Sequence, residues 1–84
     1  MKLKDVIITE ANGEYVAVTA DGSFNGMIRM NKTAAFIAEA LSEETTVEAI
    51  TARLCEKYEV TPEIAEDNVR KVIAQFERAG LIAK

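Results

Sequence analysis

Asn31-Lys32-Thr33-Ala34-Ala35-Phe36-Ile37-Ala38-Glu39-Ala40-Leu41 opens the part of the chain that decides the fold. Ala34, Ile37 and Leu41 recur there at helical spacing. The same period returns twice before Gly80-Leu81-Ile82, first in Val47, Ile50, Leu54 and Tyr58, then in Ala65, Val69, Val72, Ile73 and Phe76. Three amphipathic helices are predicted, each with one face to bury. No obvious chemistry lies along them, which favours binding over catalysis.

The helix ends are marked as clearly as the faces. Asn31 is placed to accept a hydrogen bond from a free amide in the first turn of helix one, which then runs to about Leu41 or Ser42. After the polar link Glu43-Glu44-Thr45-Thr46, Thr45 and Glu48 have the spacing of a capping box, so helix two starts near Thr46. It ends around Tyr58, because Thr61-Pro62 supplies a new cap and a proline at the first helical position, where no amide is needed. Glu63, Glu66 and Asp67 sit near the positive end of helix three, and Gly80 suits a left-handed terminator that turns Leu81 and Ile82 back onto the core.

Working outward to the N-terminal third, Val6 to Ala11 and Glu14 to Ala20 are rich in β-branched residues. They flank Asn12-Gly13, a pair that readily takes positive φ and so suits a two-residue type I′ hairpin. Strand two alternates Val16 and Val18 against Tyr15, Ala17 and Thr19, so one face lies on the helices while the other is mixed. Asp21-Gly22 starts a turn that Ser23-Phe24-Asn25-Gly26 prolongs before a short third strand, Met27-Ile28-Arg29-Met30. Alternation there places Ile28 and Met30 on one face, Met27 and Arg29 on the other. Strands first and helices second read as α+β, with the sheet antiparallel throughout.

Asn31-Lys32-Thr33-Ala34-Ala35-Phe36-Ile37, a second helix ending at Tyr58, Asp67 inside the third, then Phe76 and Gly80-Leu81-Ile82 together resemble the PqqD-like family over roughly residues 4 to 83. The resemblance implies a winged-helix-like arrangement, a three-stranded antiparallel sheet followed by a three-helix bundle. It also implies a role as a stand-alone recognition element for ribosomally made, modified peptides, holding the leader region of a precursor for a separate modifying enzyme. In similar proteins that enzyme is often a radical S-adenosylmethionine protein. Lacking a three-cysteine cluster, this chain carries no such cofactor itself. The third strand and third helix form the peptide groove in similar proteins, which implies Met27, Ile28, Arg29 and Met30 on one wall. Helical spacing offers Asn68, Val72, Gln75 and Ala79 on the other.

Bulk properties narrow the alternatives. Eighty-four residues form one domain, residues 1 to 84, and a domain this small buries only about 60% of the surface of its unfolded chain, which disfavours a deep pocket. The apolar runs are too short to span a bilayer, and the charged start leads into a strand rather than a signal-peptide core, so a cytoplasmic protein is expected, with no membrane partner. A net charge of −4 opposes non-specific attraction to nucleic acid. A winged-helix DNA-binding regulator is the rival reading, but its third helix would carry Glu63, Glu66, Asp67 and Glu77 among Arg70, Lys71 and Arg78. A general protein-protein adaptor is the other rival.

Catalytic residue types are scarce. Without histidine, the usual acid/base near neutral pH and the commonest zinc ligand are missing, so neither a catalytic residue nor a metal or other cofactor is expected. Cys55 falls on or beside the buried stripe of helix two and reads as a core thiol. Asp67 complements the helix dipole, with peptide contact as its second reading, and Asn31 is more simply a cap than a ligand contact.

Overall fold

The computed structural model describes residues 1–4, 6–19 and 27–83. Chain order runs β1 (Lys2–Leu3), β2 (Val6–Ala11), β3 (Glu14–Thr19), β4 (Ile28–Met30), α1 (Lys32–Ala40), α2 (Val47–Tyr58), α3 (Pro62–Arg78) and β5 (Ile82–Ala83). The predicted order of three antiparallel strands followed by three helices is the order observed. The turn expected from Asp21-Gly22, its extension through Gly26, and Ala20 lie outside the described residues.

β2 and β3 form the expected hairpin. Asn12 and Gly13 have φ of 54° and 81°, the sign a type I′ turn demands at both central positions. The register pairs Ala11 with Glu14 and continues to Val6 opposite Thr19. β4 then joins β3 antiparallel, with Tyr15 opposite Met30 and Ala17 opposite Ile28, giving the strand order β2-β3-β4. The face laid on the helices is the mixed one. Ala17 is only 1% exposed, whereas Val16 and Val18 remain half-buried on the outer side. Ile28 and Met30, both buried, share that inner face, and a methyl at Ala17 lets α1 lie close to the sheet.

Each helix begins where its sequence signal lies, with one adjustment. Asn31 Oδ1 accepts from the Ala34 amide at 2.8 Å, and Thr61 Oγ1 from Ile64 at 3.4 Å just before Pro62. For α2 the cap is Thr46, which accepts from Ala49 at 3.1 Å, so the Thr45–Glu48 box does not form. Thr45 is engaged elsewhere, its amide donating to the Met1 carbonyl at 3.0 Å. α3 closes in a Schellman motif. Gly80, at φ 75°, donates to Glu77, and Leu81 donates to Phe76, both at 2.9 Å.

The three apolar faces meet in one core, whose largest fully buried side chains are Phe76, Ile37, Leu41, Ile50, Leu54 and Val69. Cys55 is half-buried and packs against this core. No polar or charged residue is buried among the described residues, so the helices are held by apolar burial rather than an internal polar network. Beyond the predicted strands, Lys2 pairs with Ala83 and Leu3 with Ile82 in a second, two-stranded ladder. The Leu3 amide donates to the Leu41 carbonyl and the Lys4 amide to that of Leu81, each at 2.8 Å. Two-residue strands are too short to carry an alternation, which is why the sequence does not announce them.

Candidate functional site, a groove beside the edge strand

β4 and α1 are separated by one residue, Asn31, so the chain turns from sheet edge to helix with no slack. Asn31 remains extended, at φ −82° and ψ 178°, and its carbonyl already accepts from Ala35 at 2.9 Å. α3 runs alongside. Between them lies an open groove of about 330 Å³. β4 contributes Arg29 and Met30, the first turns of α1 contribute Thr33, Ala34 and Ile37, and α3 contributes Asn68, Lys71, Val72 and Gln75. Asn31 completes the wall at the corner.

Its floor is apolar and its rim polar. Met30, Ile37 and Val72 are 7%, 0% and 8% exposed, so they are fixed by core packing while still bordering the groove. Asn68, Lys71, Val72 and Gln75 follow one another at helical steps, which puts them on one stripe of α3. A cavity of roughly 150 Å³ holds a benzene ring. The groove therefore has room for about two apolar side chains of that size.

The backbone beside the groove is also available. A two-residue turn makes Ala11 and Glu14 a hydrogen-bonded pair, and antiparallel alternation then turns the backbone of Tyr15 and Ala17 toward β4. Their partners Met30 and Ile28 are consequently committed to the ladder. Arg29, between them, directs its amide and carbonyl to the open edge.

Of the residues expected on the walls, Arg29, Met30, Asn68, Val72 and Gln75 come together in this groove. Three do not. Ile28 is buried in the core on the same inner face as Met30 and does not line the groove. Met27 precedes the strand and is 60% exposed. Ala79 is the C-cap of α3, one turn or about 6 Å beyond Gln75, and lies past the end of the groove. Asn31, Thr33, Ala34, Ile37 and Lys71 complete the lining without having been expected there. For Lys71 the signal was its i+3 relation to Asn68. Ala34 and Ile37 were legible only as core. Asp67 is exposed and pairs with Lys71 at 2.9 Å, away from the groove lining.

The sequence matches the family described as Coenzyme PQQ synthesis protein D (PqqD) over residues 6–82. The chain belongs to the PqqD family. Among solved structures, this PqqD-family chain is similar to "TbiB1 in Complex with the TbiA(beta) Leader Peptide", with a TM-score of 0.76 and 19% identity, covering 100% of both chains. At that identity the likeness is one of fold. No curated protein matches this PqqD-family chain in sequence.

Proposed function

We propose that this chain is a non-catalytic peptide-recognition element. It binds the leader region of a ribosomally synthesised precursor as a strand added to β4 and presents it to a separate modifying enzyme in the cytoplasm. The observation that carries this reading is an open strand edge lying directly beside an apolar-floored groove in a PqqD-family chain. Recognition by strand addition needs those two parts, backbone for affinity and pockets for alternate side chains. The structural neighbour is itself in complex with a leader peptide, which supports the same assignment. A radical S-adenosylmethionine protein is the enzyme class that the family resemblance favours.

Magnitudes show how the work is divided. One outward residue makes two backbone hydrogen bonds, each contributing about 0.5–1.5 kcal/mol net. Burying one Leu-sized side chain contributes about 1.5–3 kcal/mol. On so short an edge, a single apolar anchor in the groove therefore matches the whole backbone contribution. The DNA-binding alternative fits α3 poorly, because Arg70 is held by Glu66 at 3.0 Å and Lys71 by Asp67 at 2.9 Å. No helix among the described residues is long and apolar enough to cross a membrane.

The test is an amide chemical-shift titration with the leader of a precursor encoded beside this chain. Shifts are expected to concentrate on β4 and on α3 from Asn68 to Gln75. Val72→Glu, which sets a charge on the groove floor, is expected to weaken binding at least about tenfold in protein whose circular dichroism shows retained folding, since Val72 also belongs to the core. Shifts that leave both β4 and α3 unmoved would defeat the proposal.

A further inference from the structure

Resting on the peptide-binding reading above, we propose that the groove is selective for charge and spacing. It takes an extended segment in which one Asp or Glu, seated beside Arg29, has an apolar residue on each side. The chain as a whole carries 14 acidic against 10 basic residues, yet the charged residues bordering the groove, Arg29 and Lys71, are both cations, Arg29 with its side chain on the outer face of β4. Lys71 is shared with Asp67, which does not line the groove. Arg29 makes no ion pair among the described residues, and Glu14, which borders the adjoining hollow with it, stays beyond pairing distance. A guanidinium left unpaired among the described residues is a ready partner for a carboxylate, which it meets with two parallel donors.

Strand geometry supplies the spacing. A residue hydrogen-bonded to Arg29 in an antiparallel addition lies directly across from it, with Cα atoms about 5.5 Å apart and both side chains on the same face. Its two neighbours alternate to the other face, the one Met30 occupies, and enter the floor formed with Ile37 and Val72. The pattern is therefore apolar, acidic, apolar, a narrower requirement than a general preference for anionic peptides.

The experiment selects binders from a displayed library of random dodecapeptides on the purified full chain, then measures the best peptide against variants. Enrichment of Asp or Glu between two apolar residues is expected. Arg29→Glu weakens that peptide about tenfold, since an opposite pair becomes a like pair, and selection on this variant replaces the acid by Lys or Arg. Arg29→Lys keeps the charge but loses the second parallel donor, and weakens the peptide less than Arg29→Glu does. Changing the peptide's acid to Lys costs the wild-type chain a similar factor and requires no altered protein. Peptides that shift β4 and α3 yet show no acidic preference, or that lose less than about twofold with Arg29→Glu, overturn the charge selection and leave strand addition standing. Failure to enrich any extended peptide overturns both.

Discussion

At one edge of the three-stranded sheet β2 offers six residues of backbone, and at the other β4 offers three. The same alternation that frees Arg29 on β4 frees Val6, Ile8 and Glu10 on β2, so the longer edge has the greater capacity for hydrogen bonds. Their surroundings differ. β2 borders a smaller hollow of about 210 Å³ in which Lys2, Lys4 and Ser42 stand beside Leu3, Val6, Ile8 and Ala38. Lysines beside an edge strand are a common means of discouraging another chain from pairing there. β4 instead has α3 along it, with Val72 and Ile37 as an apolar floor. On the proposed reading, what suits an edge to a ligand is the wall beside it more than the length of backbone it exposes.

The largest effect comes from removing what both edges share. Phe76 is fully buried in the core that supports the sheet, and Phe76→Ala is expected to cost about 3–5 kcal/mol in chemical denaturation. A loss below about 1 kcal/mol would mean that the core does not rest on this ring. The comparison itself is broken or upheld by a pair of prolines. Arg29→Pro removes the outward amide of β4, together with the guanidinium, without touching the ladder to β3, and is expected to weaken leader binding about tenfold or more in calorimetry. Glu10→Pro does the same to β2 and is expected to leave binding within about twofold. The reverse result would move the peptide to the other edge.

The smallest effect lies on β2 and sharpens its electrostatic character. Tyr15 stands opposite Glu10, whose negative charge is the main cause that raises the phenol above its ordinary value of about 10. The native state therefore holds this proton more tightly than the unfolded chain does. Stability is unaffected by it below the unfolded phenol's pKa and falls as pH rises from that value through the folded one. Glu10→Gln is expected to lower the Tyr15 titration midpoint, followed by phenolate absorbance.

Residues whose conformation is set locally were the legible ones. Asn12-Gly13, Asn31, Thr61-Pro62 and Gly80 each dictate their own backbone, and the structure places a turn, a cap or a terminator at every one. The groove was legible on α3 and β4, where the family resemblance and helical spacing jointly point to Asn68, Val72, Gln75, Arg29 and Met30. Its α1 wall was not. The period of Ala34 and Ile37 reveals an apolar face, but nothing in a period tells where that face emerges from under its neighbours. Likewise alternation along β3 separates two faces without saying which one the helices take. Ala17 decides it by being small, a property of the packing as a whole rather than of the strand.

The pairing of Leu3 with Ile82 has a consequence in time. As the chain leaves the ribosome, the β2–β3 hairpin and the individual helices can form from contacts close in sequence, whereas β1 must wait for a partner from the far end of the domain. Closing so long a loop is entropically costly, and contacts of that range are made late. Until then the Leu3 amide can reach Leu41, but the Lys4 amide lacks the Leu81 carbonyl that receives it in the finished fold. The nascent domain is thus clasped shut only when residues 81 to 83 arrive, and a slow final phase is expected to report that clasp rather than the bundle.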